Sequence, residues 1–174
     1  MKKLIDYNIV FIGFIGVGKT TIADLLAKRL LLKVIDTDKK IEEKFKKTVS
    51  EIFSNSGENK FRELESGIIK DLEDERGIII SCGGGVCLRD ENISSLRKNG
   101  RLVLLEAAPD IIFNRLKNEA GRPILNGKVD ILSISDFINE RKESYHKSAD
   151  IIIDIEGKTS EDIIDEIIGK LNIS

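Results

Sequence analysis

Gly13-Phe14-Ile15-Gly16-Val17-Gly18-Lys19-Thr20 is the stretch on which the reading of this chain turns. It fits the pattern Gly-x-x-x-x-Gly-Lys-Ser/Thr. At ordinary residue frequencies a chance match in 174 residues has an expectation under about 1%. The apolar run Tyr7 to Ile12 precedes it and reads as a strand. Ile22, Leu25, Leu26 and Leu30 recur after it at three- and four-residue steps, the stripe of an amphipathic helix. A strand, a glycine-rich turn and a helix start place backbone N–H groups around phosphate oxygens, and glycines let that backbone approach closely. In this motif the lysine, Lys19, reaches the β and γ phosphates, and the Thr20 hydroxyl is placed for Mg²⁺. A dinucleotide site fits less well, because the Gly-x-G opening is missing. A GTPase fits less well too, because no Asn-Lys-x-Asp stretch is present.

Working outward, Lys33 to Ile35, Ile78 to Ser81, Leu102 to Leu105 and Ile151 to Ile155 read as further strands. Helical patterns cover Lys39 to Lys46, Glu58 to Asp74, Glu91 to Arg97, Asp110 to Asn118, Ile134 to Tyr145 and Ser160 to Ile168. Apolar strands alternating with helices imply a three-layer α/β/α fold with a five-stranded parallel sheet. One domain spanning 1–174 is expected from the length. Two pieces interrupt the alternation: consecutive helical segments from Lys39 to Asp74, and a polar stretch from Glu119 to Asp130 containing Gly121, Pro123 and Gly127. Such excursions often carry substrate-binding parts, although either could be a plain surface insertion.

Composition narrows the function classes. Apolar residues make up 41% and charged residues 33%, as in an ordinary globular protein, and the net charge of -2 argues against a generally basic nucleic-acid binder. The longest apolar runs are far short of a membrane span, and Asp6 interrupts the N-terminus too early for a secretory segment; a cytoplasmic protein is expected, acting as a monomer without nucleic-acid or membrane partners. Cys82 and Cys87 read as free thiols rather than a disulfide or zinc framework, and His146, the one histidine, reads as a surface residue rather than a partner for either.

A kinase for a small molecule needs an acceptor site facing the γ-phosphate, and the carboxyl ends of the other strands are where to look for it. Asp36-Thr37-Asp38 follows the second strand. One carboxylate can hold the metal or its water while the other orients or deprotonates a hydroxyl; alternatively Asp38 caps the helix that begins near Lys39. Gly83-Gly84-Gly85 follows the third strand and offers either close backbone approach or a simple turn. Arg62 and Arg141 would individually be surface cations, but facing the cleft together they would favour an acceptor bearing a carboxylate. Arg122, between Gly121 and Pro123, suits a lid that brings positive charge to the transferring phosphoryl group and excludes water.

These residues, in this order, resemble the shikimate kinase family over nearly the whole chain, from Asn8 to about Ile168. The resemblance rests on Gly13 to Thr20, Asp36-x-Asp38, Phe61-Arg62-x-x-Glu65, Gly83 to Gly85, Arg122-Pro123 and Arg141-x-x-x-Tyr145. It implies a P-loop kinase fold with an acceptor-binding region at about 37–65 and a mobile lid at about 117–130. It also implies an ATP-dependent 3-phosphotransferase that converts shikimate to shikimate 3-phosphate on the route to chorismate and the aromatic amino acids. Nucleotide contacts are implied at Gly13, Gly16, Val17, Gly18, Lys19, Thr20, Thr21, Arg115 and Arg122, with Arg115 against the adenine. Acceptor contacts are implied at Asp38, Arg62, Gly83, Gly84, Gly85 and Arg141. Mg²⁺ is implied at Thr20, with Asp36 holding it through water, and Lys19, Asp38 and Arg122 become the catalytic set. Ser81-Cys82 and Ile124 depart from the family's frequent Ala-Thr and Leu, and the family's late adenine-binding loop falls near Asp154 to Ser160, where no side chain is assigned a role. A kinase for gluconate or a nucleoside monophosphate, or a nucleotide-binding module without transfer activity, are the competing readings.

Overall fold

A computed structural model describes residues 5–117 and 130–173. Five strands form one sheet: β1 (Asn8–Ile12), β2 (Lys33–Asp36), β3 (Ile78–Ser81), β4 (Gly100–Glu106) and β5 (Ile151–Asp154). Every pairing is parallel and the spatial order is β2-β3-β1-β4-β5. Each parallel step needs a crossover, and the helices supply it: α1 (Lys19–Leu30), α2 (Thr37–Phe45), α3 (Val49–Asp71), α4 (Asp90–Asn99), α5 (Pro109–Leu116), α6 (Ile131–Ser148) and α7 (Ser160–Lys170).

Residues of β1 alternate between two cores. Ile9 and Phe11 pack with Ile22, Leu26, Ile163 and Ile167 of α1 and α7. Val10 and Ile12 pack on the other face with Ile68 of α3, Leu96 of α4, Ile112 of α5 and Ile134 of α6. All five β1 positions are buried, as expected of a central parallel strand covered on both faces. The three-layer arrangement and the five parallel strands follow the sequence-based expectation.

Boundaries moved where side chains, rather than periodicity, decide them. The second helix starts at Thr37 because Asp36, not Asp38, is its N-cap, accepting from the Lys39 amide at 3.1 Å. The third begins at Val49, well before Glu58, because Thr48 and Glu51 form a capping box. It runs on through a kink at Gly57, whose φ of 80° is non-helical. The expected lid stretch lies outside the described residues except for its ends, Lys117 and Asp130, and Arg122 lies outside them with it.

Candidate active site

Three neighbouring strands end side by side. Phe11 of β1 lies opposite Ser81 of β3, which lies opposite Asp36 of β2, so the glycine-rich turn, the Asp36-Thr37-Asp38 turn and the triple glycine leave the sheet from one row. A cleft of about 480 Å³ opens there, lined among others by Gly16 to Thr21, Asp36, Asp38, Gly83 and Gly84.

On the phosphate side, α1 begins at Gly18 with φ 100°, a left-handed conformation that glycine adopts without strain. No side chain caps this end and its first turn holds no acidic residue; α2, α3, α6 and α7 each have a side-chain cap, and α4 and α5, uncapped, carry acidic residues in the first turn. The leading N–H groups and the positive end of the helix therefore face the cleft ready for an anion. Lys19 Nζ donates to the Gly13 and Phe14 carbonyls at 2.8 and 3.0 Å, which curls the ammonium back over its own loop. Thr20 Oγ1 donates to Asp36 Oδ2 at 2.9 Å and lies 3.2 Å from Ser81 Oγ. Gly13, Val17 and Thr21 complete this side, and Arg115 Nη1 reaches back from α5 to the Val17 carbonyl at 2.7 Å. Arg115 is an exposed helix cation, as expected from its pattern alone, and its guanidinium nonetheless lies against the phosphate loop.

The acceptor side is assembled from buried charge. Arg62 on α3 and Arg141 on α6 are 5% and 6% exposed, so neither is a surface cation. Each guanidinium lies over aromatic rings, Arg62 over Phe61 at 5.2 Å and Arg141 over Phe14 and Phe137 at 5.8 and 6.0 Å. Both close on the triple glycine from different helices. Arg141 Nη1 donates to the Gly84 carbonyl at 3.5 Å and the Tyr145 hydroxyl donates to it at 2.5 Å, and a Cβ on Gly85 would fall on the Arg62 guanidinium. Arg62 Nη1 also donates to Glu65 Oε2 at 2.9 Å inside the protein. Both guanidinium groups thus flank the glycine turn, two of whose residues, Gly83 and Gly84, line the 480 Å³ cleft.

Asp38 Oδ1 and Glu65 Oε1 are buried without hydrogen-bond partners among the described residues, and they stand 2.7 and 2.9 Å from where a Gly83 Cβ would be. Burial, reinforced by the negative charges of Glu65 and Asp36, pushes the Asp38 carboxyl up to about 6. Burial also raises Glu65, against the pull of Arg62 and Arg141. Leaving such acceptors unsatisfied costs roughly 1–3 kcal/mol each, a cost that a bound donor would remove.

Other sequence expectations resolve simply. Cys82 and Cys87 are buried free thiols, and burial pushes both above the ordinary thiol range, which leaves them poor nucleophiles. His146 pairs with Glu106 at 2.9 Å, away from both cysteines. Sequence reading had missed Ile155, Lys158 and Ser160, which line the same cleft from the turn after β5. Lys158 is held there by Glu166 at 2.6 Å and the Asp154 carbonyl at 2.8 Å, contacts no local motif announces. Among the described residues no helix is long and apolar enough to cross a membrane, and no cluster of three or more His, Cys, Asp or Glu could hold a metal.

Comparison with known proteins places this arrangement. A shikimate kinase from Thermodesulfovibrio yellowstonii is 42% identical over 161 residues, covering 92% of each chain. The shikimate kinase of Acinetobacter baumannii, solved in complex with shikimate, superposes with a TM-score of 0.90 at 26% identity, covering 95% of this chain and 93% of that one. The Aquifex aeolicus shikimate kinase gives a TM-score of 0.81 at 31% identity, covering 95% and 96%. A sugar kinase from Janibacter, at 16% identity and a TM-score of 0.67, shares the fold alone. The family model for shikimate kinase matches residues 15–172, and with these relatives it shows that the chain belongs to the shikimate kinase family.

Proposed function

We infer that this chain transfers the γ-phosphate of ATP to the 3-hydroxyl of shikimate, releasing ADP and shikimate 3-phosphate for aromatic amino-acid synthesis. The observation that carries the reading is the pair of buried guanidinium groups, Arg62 and Arg141, gathered on one glycine turn beside a carboxylate with one unsatisfied buried oxygen, across the cleft from an uncapped phosphate-binding helix. Two planar forks at one turn suit a carboxylate, and the cyclitol-like remainder of such an acceptor then faces Asp38.

This placement supports the following roles. Gly13, Gly16, Val17, Gly18, Thr20 and Thr21 bind the phosphates, and Arg115 borders the nucleotide. Lys19 leaves its loop carbonyls for the β and γ oxygens and stabilises the charge on the transferring group. Arg62, Arg141 and the turn Gly83 to Gly85 fix the acceptor's carboxylate end. Asp38 orients the attacking hydroxyl and takes its proton; a carboxyl raised to about 6 is still ionised at neutral pH yet more basic than an exposed one. Arg122 keeps its role in phosphoryl stabilisation on the resemblance alone.

Mg²⁺ fits the oxygen donors present. Thr20 Oγ1 and Asp36 Oδ2 lie 2.9 Å apart at the cleft, hard ligands that leave most of the coordination shell to phosphate and water. Thr20 would ligate the ion and Asp36 would hold its water, and the bound ion would neutralise charge on the β and γ oxygens. We further propose that residues 37–65 form the acceptor-binding region of one domain, acting as a cytoplasmic monomer.

An acceptor panel tests the assignment: ADP release with shikimate, quinate, gluconate and nucleoside monophosphates at equal concentration. Shikimate is expected to lead by at least tenfold in kcat/KM. Equal or better turnover of another acceptor would overturn the assignment and leave the phosphate site standing.

A further inference from the structure

The ladder between β2 and β3 ends at Asp36 opposite Ser81. One residue later the chains part, Thr37 starting α2 and Cys82 leading into the triple glycine. Across that gap the Gly83 amide donates to Thr37 Oγ1 at 3.1 Å, a buried bond between residues 46 apart in sequence. Thr37 is 0% exposed.

Three successive glycines carry no Cβ to limit their backbone, so the position of this turn is set by its bonds. On one side these come from α6, where Arg141 and Tyr145 hold the Gly84 carbonyl. Toward Asp38 the tie is Thr37. Its neighbours in sequence do chemistry on both sides: Asp36 accepts from Thr20 of the phosphate loop, and Asp38 Oδ1 faces Gly83. A shift of the turn by a fraction of an ångström would change the spacing between the acceptor's carboxylate end and the base that meets its hydroxyl. Threonine suits the task because its branched Cβ restricts χ1 while its oxygen accepts the amide.

We propose that Thr37 is a positioning residue for phosphoryl transfer, its hydroxyl fixing the triple-glycine turn against Asp38 without itself touching ATP or acceptor. The inference rests on the acceptor-site reading above.

Steady-state kinetics of wild type, Thr37→Val and Thr37→Ser test it, varying shikimate at saturating ATP and then ATP at saturating shikimate. Valine keeps the shape and removes the acceptor oxygen; it is expected to lower kcat/KM for shikimate roughly 10- to 100-fold and to leave the ATP KM within about twofold. Serine restores the bond and should return the shikimate parameters to within about threefold of wild type. Amide exchange in the wild-type protein supplies a readout that needs no folded variant: the Gly83 N–H should exchange at least about tenfold more slowly than the Gly84 N–H. Shikimate kinetics unchanged in the valine variant, equal losses for ATP and shikimate, a serine variant as impaired as valine, or rapid Gly83 exchange would each overturn the proposal. A wild-type protein that turns over no shikimate would overturn the functional reading itself, and the positioning role with it.

Discussion

The phosphate side of the cleft is made of backbone, with the turn Gly13 to Thr20 delivering N–H groups at an uncapped helix start and Lys19 and Thr20 as its working side chains. Across from it, the acceptor side we propose is made of side chains from three separate places, Asp38, Arg62 and Arg141, around the backbone turn Gly83 to Gly85, with charged groups enclosed by protein. A backbone site tolerates much variation around it, because amides are supplied at every position. A side-chain site of enclosed charge is costly to keep, since replacing such pairs by apolar residues often stabilises a protein. Function, rather than stability, is therefore the better account of the buried Arg62–Glu65 pair and the partnerless Asp38 oxygen.

That contrast breaks most severely if Asp38 proves dispensable. Asp38→Asn should lower kcat by about 10²- to 10⁴-fold while ATP affinity changes less than about twofold, read by turnover and nucleotide titration. The same variant should melt higher than wild type at pH 7.5. The folded carboxyl titrates near 6 and the unfolded one near 3.8. Between those values the folded chain holds a proton that the unfolded chain has released. Its contribution to stability is whole below about pH 4 and lost as pH rises through 6, so the advantage of asparagine should vanish at pH 4. In the unliganded enzyme the same group gives kcat/KM an acid limb, with activity falling below about pH 6.

The acceptor clamp comes next. Arg62→Lys keeps the charge but loses the fork, and should raise the shikimate KM roughly 10- to 100-fold with little change in the ATP KM. Gly85→Ala would place a methyl on the Arg62 guanidinium and should weaken shikimate in the same selective way. Comparable losses for ATP in either variant would mean that the two sides are not separately built.

Legibility in the sequence followed this division. The phosphate loop is contiguous, and its flanking strand and helix have clean periods, so eight residues announced both a site and a fold. The acceptor residues came from scattered positions, and only their order along the chain, matched to a family, joined them. Burial of Arg62 and Arg141 was invisible because each sits in a polar stretch; Phe61 adjoins Arg62, but Arg141 is covered by Phe14, far away in sequence, and by Phe137 on the preceding turn of α6. From the residues alone Asp38 could equally have been the cap of α2; the Lys39 amide instead bonds Asp36, which leaves Asp38 free of that task. The early start of α3 was hidden by Gly57, which interrupts the helical pattern without ending the helical segment. Lys158 and Ser160 entered the cleft only through the placement of β5 and α7.

The smallest effects belong to helix α7, remote from the chemistry of the acceptor. Thr159→Ala removes one half of a capping box and should cost about 1 kcal/mol in denaturant unfolding. Gly169→Ala meets no atom within 4 Å and should stabilise by roughly 0.5–1 kcal/mol. Neither should change the shikimate KM.

If the buried arginines await the acceptor's carboxylate so that its hydroxyl meets Asp38, kcat/KM must differ between shikimate and its neutral primary amide. The arrangement predicts a loss of at least about 100-fold for the amide, expressed mainly in KM, because two charge-assisted contacts are weakened while the hydroxyls are unchanged. Values within about threefold of each other would contradict it.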